Sequence, residues 1–253
     1  MSEGQTFWEH FDALRGVLLR CVAALVVFTV AAFCFKETLF SIVLAPSHDS
    51  FVLYRLFEKF GGAGDFHVAL INTGLARQFI LHVEAAFCAG VVLTSPYLLY
   101  ELFRFVLPAL YDAERRCLTS VVAGGYIMFL LGAVLAYFLI FPLTFRFLGT
   151  YSVSAEVGNL ITLDSYVSTL LTLCLCMGLA FELPLLCWAA ARLGLLSAAM
   201  MRRWRRHALV GIFFVAAVIT PTSDVFTLCL TALPVLLLYE AGILVAARTQ
   251  RRP

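Results

Sequence analysis

The sequence predicts an all-α integral membrane protein, with residues 1–253 forming one membrane domain of six transmembrane helices, the last two of them short. Hydrophobic residues make up 62% of the chain and charged residues 13%, whereas a soluble domain is about half apolar and about a quarter charged. The apolar residues also fall in long runs, and about 20 such residues are enough to cross a bilayer. Together these observations indicate a bundle of membrane-spanning helices with short connections.

The apolar runs define the spans in chain order. The first run follows a polar and aromatic segment, and no small-residue cleavage site ends it, so we expect a retained anchor rather than a cleaved signal peptide. The predicted spans cover approximately residues 17–35, 77–103, 118–147, 166–192, 208–220 and 225–247.

The fifth run is shorter than a bilayer is thick. Residues 208–220 cover about 20 Å at ~1.5 Å per residue, against a hydrocarbon core of roughly 30 Å. If the last two helices are short, they would thin the local bilayer, admit water or pack on neighbouring helices. The alternative is an earlier start to the fifth span, with Arg203 to His207 extending their side chains to the interface.

The loop between the first two spans, about residues 36–76, contains an amphipathic segment. In residues 51–60, Arg55, Glu58 and Lys59 share one helical face. The apolar residues that can turn the other way are Phe51, Leu56, Phe57 and Phe60. This pattern predicts a helix that lies on the membrane or caps the bundle.

The distribution of Lys and Arg predicts the orientation. With the N-terminus in the cytoplasm, the outer segments hold five basic residues: Lys36, Arg55, Lys59, Arg77 and Arg146. The inner segments hold the remaining 13 of the 18 Lys and Arg residues. Because cytoplasmic segments of membrane proteins are enriched in Lys and Arg, we expect both termini to be cytoplasmic.

Several function classes lack their sequence signals. A net charge of +2 gives no reason to expect nucleic-acid binding, and no phosphate loop, H-E-x-x-H or G-x-S-x-G motif occurs. The eight cysteines are scattered, almost all within apolar runs, which favours packing over a disulfide frame or metal site. His82 and Glu84, a close acid–base pair near the outer end of the second span, are interpreted as interfacial. We therefore expect no catalytic residues, no cofactor and no metal.

Four stretches in order carry a family resemblance. They are Glu9-His-Phe-Asp-Ala-Leu-Arg15, residues 95–116, Phe181-Glu-Leu-Pro184, and Thr220-Pro-Thr-Ser-Asp224 with the later Leu233-Pro and Tyr239-Glu240. The second contains the specific pattern F-x-x-P-x-L-Y-x-x-E-R-R, starting at Phe105. With these four stretches the chain resembles TatC, the multispanning core of the twin-arginine protein translocase, over nearly its whole length.

The resemblance implies a receptor in the cytoplasmic (inner) membrane for signal peptides that carry paired arginines. It also implies export of folded proteins driven by the proton-motive force, a cup-shaped bundle with a concave face, and single-span TatA/TatB-type partner subunits. We expect self-association and contact with membrane lipid as well.

The resemblance assigns the signal-peptide site to the inner surface, where Glu114 would bind guanidinium groups. Carboxylates suit arginine because they accept bidentate, charge-assisted hydrogen bonds. The alternative for Glu114 is an exposed ion pair with a neighbouring arginine, worth ~0–1 kcal/mol. The partly apolar floor beside it would consist of Phe105, Pro108, Leu110 and Tyr111, which could instead serve as aromatic and apolar anchors at the membrane surface.

A second acid is less clearly assigned. The family pattern H-L-x-E-L-R has its acid where this chain has Ala13, followed by Leu14 and Arg15. Asp12 is the preferred substitute and Glu9, one helical turn away, is another, since either could supply the charge from a neighbouring face. The remaining alternatives are a site with one strong acid, and a purely local role for Asp12 at a helix N-terminus.

Glu182 lies inside the fourth span, where an ionisable residue is costly. Pro184 follows it and leaves the carbonyl of Ala180 without its helical donor, so we expect the helix to bend there. The resemblance implies a position on the concave face near partner contact; the alternative is a buried protonated carboxyl bonded to a neighbouring helix.

The turn between the last two spans holds Thr220 and Asp224. Asp224 is expected to cap the sixth helix, and the resemblance adds a partner-docking patch. The family often has glutamine four residues later, where this chain has Leu228, so contact could be more apolar or shifted to Thr227. Glu240 either pairs with a cytoplasmic arginine or touches a partner.

The main alternative function is a secondary transporter of a small solute, because intramembrane acids also fit that class. Such transporters usually show matched internal repeats with broken helices, and no repeat is evident in this chain.

Overall fold

The structure is a computed structural model that describes residues 7–48, 51–59, 70–106, 118–151, 160–220 and 224–250. The helices in these ranges are α1 (Phe7–Cys34), α2 (Lys36–Leu44), α3 (Val52–Lys59), α4 (Arg77–Val106), α5 (Leu118–Leu135), α6 (Phe141–Thr150), α7 (Leu163–Phe181), α8 (Leu183–Arg192), α9 (Ala198–Arg203), α10 (Arg205–Ile219) and α11 (Val225–Gln250). A 3₁₀ turn (Ala45–Ser47) follows α2, and a π-helical turn (Ala136–Ile140) joins α5 to α6.

The all-helical membrane class is confirmed. Among the residues that the structure describes, five helical stretches are long and apolar enough to cross a bilayer: Leu14–Cys34, Arg77–Phe105, Val121–Thr150, Leu163–Arg192 and Val225–Gln250. The predicted fifth span corresponds to α10, whose 15 residues begin at Arg205 rather than Ala208 and reach about 22 Å. This helix therefore starts earlier than the apolar run but remains short. That the chain crosses the membrane six times stays a prediction.

The N-terminal segment is helical, which the span prediction of 17–35 did not include. Helix α1 begins at Phe7, so Glu9, Asp12 and Arg15 belong to the same helix as the first span. Acidic residues at the start of a helix are favoured by its macrodipole.

Helix α1 runs antiparallel to α4 and packs on it closely. A Cβ on Gly90 would lie 2.3 Å from Thr29 Oγ1 and 3.0 Å from the Thr29 backbone, so only glycine permits this approach. The ring of His82 stacks on Phe33 with centroids 4.0 Å apart. His82 is buried there, with Phe33 covering it from α1, and its interpretation as interfacial stays a prediction.

Glycines also set the contact of α5 with α7. A Cβ on Gly132 would lie 2.4 Å from the Met177 carbonyl oxygen, and one on Gly178 would lie 2.8 Å from Phe129 Cε2. Small residues at such crossings let helix backbones approach within a membrane. The π-helical turn that follows α5 precedes Pro142, which has no N–H to continue the regular ladder.

A layer of short elements caps the bundle at the end opposite Phe7 and Gln250. Phe51 and Tyr54 at the start of α3 are buried, Phe51 stacks on Phe138 at 5.5 Å, and Tyr166 donates a hydrogen bond to the Val43 carbonyl at 3.1 Å. The capping alternative for this amphipathic segment is therefore confirmed for its described residues. Two short parallel strands, Leu70–Ile71 (β1) and Ile161–Thr162 (β2), pair in the same layer.

The seven described cysteines are free thiols, while Cys117 lies outside the described residues. Within the described ranges, no three His, Cys, Asp or Glu side chains are close enough together to hold a metal ion.

Candidate functional site

Several helix ends meet at one end of the bundle, which we call the terminal end because Phe7 and Gln250 both lie there. Arg20 pairs with Glu101 while Phe33 stacks on His82, so α1 begins where α4 ends. Arg77 pairs with Asp164, so α4 and α7 both begin at the opposite end. Gln250 at the end of α11 donates to the carbonyl of Leu196, just after α8.

The sequence-predicted signal-peptide residues fall at this terminal end as far as they are described. Asp12 and Arg15 are exposed on the first turns of α1, with Glu9 one turn earlier, and Phe105 is half-buried at the last turn of α4. Glu114, Pro108, Leu110 and Tyr111 lie outside the described residues, in the segment between the end of α4 and the start of α5.

A buried carboxylate that sequence reasoning missed lies close by. The Glu101 side chain is 3% exposed, and its Oε2 accepts hydrogen bonds from Arg20 Nη2 at 2.9 Å and Nε at 3.3 Å. Its Oε1 accepts from the Tyr97 hydroxyl at 3.3 Å and lies 3.8 Å from Arg104 Nη1. This cluster joins the middle of α1 to the last turns of α4, the two helices whose ends carry the predicted site.

The two partners of this pair differ in exposure, which predicts an asymmetric response to mutation. Arg20 is half exposed whereas Glu101 is buried, and a buried charge left without its partner is strongly destabilising. We expect Arg20→Ala to lower the melting temperature of the detergent-purified protein more than Glu101→Gln, because glutamine leaves no buried charge behind.

The charge-swapped variant Arg20→Glu with Glu101→Arg serves as the control for pairing and should recover part of the loss. A larger loss for Glu101→Gln than for Arg20→Ala would contradict the proposed cause.

Glu182 lies at the break between α7 and α8. The expected interruption is confirmed, because α7 ends at Phe181 and α8 begins at Leu183, with Pro184 in its first turn. Glu182 is buried, and neither carboxylate oxygen has a hydrogen-bond partner among the described residues. A Cβ on Gly125 of α5 would lie 3.2 Å from Oε2, so the carboxyl group faces that helix at membrane depth.

The turn between α10 and α11 lies at the end of the bundle opposite the terminal end. Thr220 is buried, and its hydroxyl donates to the Ala216 carbonyl of its own helix at 3.0 Å. Asp224 Oδ2 accepts a hydrogen bond from the Thr227 N–H at 2.7 Å, so the expected cap of α11 is confirmed. Residues 221–223 lie outside the described residues.

Glu240 pairs with an arginine, one of the two alternatives for this residue. Its Oε2 lies 2.5 Å from Arg205 Nη2, and each side chain is about half exposed. The pair joins the start of α10 to α11 at the terminal end.

The sequence-predicted residues thus occupy three separate places. Asp12, Arg15, Phe105 and Glu240 lie at the terminal end, Glu182 lies at the break between α7 and α8, and Thr220 and Asp224 lie at the opposite end. The structure brings the two helices of the predicted signal-peptide site together through Arg20 and Glu101, and it does not unite the three places in one cavity.

Comparison with known proteins gives a consistent result. Residues 9–234 match the model of the family described as Sec-independent protein translocase protein (TatC). The chain is 34% identical to a protein of that name from Deinococcus radiodurans, over 97% of this chain and 90% of the other. It is 35% identical to one from Desulforapulum autotrophicum, over 96% and 84%.

A solved structure supports the same relationship. A crystal structure described as the twin arginine translocase receptor TatC superimposes with a TM-score of 0.80 at 29% identity, covering 96% of this chain and all of that one. A second such structure, in DDM, gives the same TM-score at 30% identity.

Proposed function

This chain belongs to the TatC family of Sec-independent protein translocase proteins, and from that membership we propose that it is the receptor and membrane core of a twin-arginine translocase. It binds signal peptides bearing paired arginines and takes part in exporting folded proteins, driven by the proton-motive force. The observation that carries the proposal is the match over nearly the whole chain to a crystal structure described as a twin arginine translocase receptor.

The orientation forms part of this proposal. The terminal end faces the cytoplasm, all six predicted spans cross the cytoplasmic membrane, and the bundle has the cup shape implied by the resemblance. The arginines that cluster at the terminal end, among them Arg192, Arg202 and Arg248, support this direction because cytoplasmic ends are rich in Lys and Arg.

The proposed signal-peptide site lies at that cytoplasmic end. Glu114 binds one guanidinium group of the peptide, and the exposed Asp12, with Glu9 near it, supplies a second negative charge. Phe105, with Pro108, Leu110 and Tyr111, forms the apolar floor, and Arg15 helps to position the N-terminal turns. The Arg20–Glu101 pair supports this site by fixing α1 against α4.

Copurification tests the receptor function directly. We expect the full chain in mild detergent to retain a folded precursor with a twin-arginine signal peptide, measured by immunoblot of the eluted complex. Replacing both arginines by lysine should reduce retention, because lysine lacks the bidentate geometry of the guanidinium group. The proposal would be contradicted if the chain retained both precursors equally. It would also be contradicted if the chain retained no precursor at all.

We further propose that Glu182 lies on the concave face and contacts a TatA/TatB-type single-span subunit. Its buried carboxyl group has no hydrogen-bond partner among the described residues, and an unpaired polar group at membrane depth is costly. A partner helix carrying a hydrogen-bond donor would reduce that cost. Thr220 and Asp224 would form a second contact at the outer end, and Glu240 a third, beside Arg205.

A substitution of Glu182 separates partner contact from peptide binding. We expect Glu182→Ala to reduce export of a reporter precursor by about tenfold or more while precursor retention stays within about twofold, since a lost charge-assisted bond is worth ~1.5–3 kcal/mol. Export is measured as the processed reporter in the periplasm. An equal loss of export and retention, with less protein in the membrane, would instead indicate a structural role for Glu182.

A further inference from the structure

The segment between α9 and α10 carries a concentrated positive charge. Four arginines occur within five residues, and all four are exposed: Arg202, Arg203, Arg205 and Arg206. Trp204, between them, is 56% exposed. We call residues 202–206 the arginine elbow. Basic residues with an exposed tryptophan are typical of the depth at which lipid headgroups lie.

Most of this charge is not neutralised by the protein. Glu240 pairs with Arg205. For Arg202, Arg203 and Arg206, no acidic partner within 4.0 Å occurs among the residues that the structure describes. The elbow therefore attracts an anion even after the one nearby carboxylate is counted.

The elbow is also held firmly against α11. The Tyr239 hydroxyl donates to the carbonyl of Met201 at 2.9 Å, and Ala198 and Met201 of α9 are buried against Ile243 and Ala246. Ser197 caps α9 by accepting from the Met200 N–H. The arginines are thus presented from a fixed backbone rather than from a free loop.

Two clefts flank Tyr239 directly beside the elbow. One, of about 420 Å³, is almost wholly apolar, with Leu183, Leu196, Met200 and Trp204 in its wall. The other, of about 430 Å³, is lined by Leu209 and Leu236 together with Arg205, Arg206 and Glu240. A soluble anion would bind the arginines but would leave both apolar clefts unused.

We propose that the arginine elbow and the two clefts form a binding site for an anionic phospholipid. The arginines bind the headgroup phosphate, and Arg206 does so from the wall of the second cleft. The acyl chains occupy the clefts on either side of Tyr239. Glu240, a carboxylate that would repel the phosphate, is compensated by Arg205. The site is independent of signal-peptide recognition, and it lies at the short helix α10, where the bilayer must adapt to a helix of about 22 Å.

Lipid binding to the delipidated full chain tests this site. Native mass spectrometry in detergent would compare added phosphatidylglycerol with phosphatidylcholine of the same chains. We expect phosphatidylglycerol to bind at least about tenfold more tightly than phosphatidylcholine. Arg206→Gln should weaken phosphatidylglycerol binding about fivefold, the effect typical of one arginine near a charged headgroup. Arg248→Gln, an exposed arginine of α11 outside both clefts, is the matched control and should change binding less than twofold.

Two further measurements distinguish binding of a whole lipid from binding of a soluble phosphate anion. Leu209→Trp would fill the second cleft without changing its charge, and we expect this variant to bind phosphatidylglycerol more weakly than the wild-type chain does. Glycerol phosphate, which has the headgroup anion without acyl chains, should not displace the lipid at millimolar concentration. Equal affinity of the wild-type chain for the two lipids, an equal loss with Arg248→Gln, or full displacement by glycerol phosphate would overturn the proposal.

Discussion

Replacing Glu114 by alanine is expected to abolish crosslinking between this chain and a twin-arginine signal peptide. A charge-assisted hydrogen bond to a carboxylate is worth ~1.5–3 kcal/mol, so its loss weakens peptide binding by about tenfold to more than a hundredfold. The measurement is photo-crosslinking in membrane vesicles from a probe placed beside the arginine pair of the peptide, with the amount of the variant in the membrane determined in the same samples.

The matched control for this substitution is Glu37→Ala. Glu37 is an exposed acid in the first turn of α2, at the opposite end of the bundle, and its loss should leave crosslinking unchanged. Undiminished crosslinking of Glu114→Ala would remove the assignment of the site. Labelling of residue 114 by a reagent that acts only from outside the cell would contradict the orientation on which the assignment depends.

Gly132→Ala is expected to produce the largest loss of stability among single-methyl substitutions in the bundle. The added Cβ would lie 2.4 Å from the Met177 carbonyl oxygen and 2.8 Å from its carbonyl carbon. Both are backbone atoms of α7, so no side-chain rotation relieves the contact and α5 must move away. Overpacking of this kind costs about 1–3 kcal/mol or more, so the melting temperature in detergent should fall by about 5 °C or more.

Gly124→Ala is the matched control, because it adds the same methyl group to the same helix at a position with no atom within 4 Å. Alanine is also the better helix former, so the melting temperature should stay constant or rise slightly. If the two variants had similar melting temperatures, α5 and α7 could separate enough to accept the added methyl group at little cost. The close approach at Gly132 would then not be what stabilises the crossing.

Parts of the candidate site followed from local chemistry alone. Asp224 was expected to cap α11 and does so through the Thr227 N–H, because a cap depends on residues three positions apart. The interruption of the fourth span at Glu182 followed from Pro184 in the same way. For Glu240 the sequence left two alternatives, an arginine of the same chain or a partner protein. It did not identify Arg205, which lies 35 residues earlier in the chain.

Glu101 shows why other parts could not be found. It lies within a stretch that carries the family resemblance, yet its importance depends on Arg20, which is 81 residues away in sequence. No spacing rule connects two such residues, since their contact exists only once α1 and α4 have packed antiparallel. The burial of His82 was missed for the same reason, because Phe33 covers it from another helix.

The membrane class of this protein and the approximate position of its long helices are encoded locally, because an apolar run of sufficient length has no favourable place outside a bilayer and must satisfy its backbone as a helix. The close approach of α1 to α4 at Gly90, the buried Glu101 and the two clefts beside the arginine elbow arise only from packing. Hydrophobicity directs helices into the membrane without choosing their neighbours. Shape and polar pairing between helices make that choice, and these act between residues far apart in the chain.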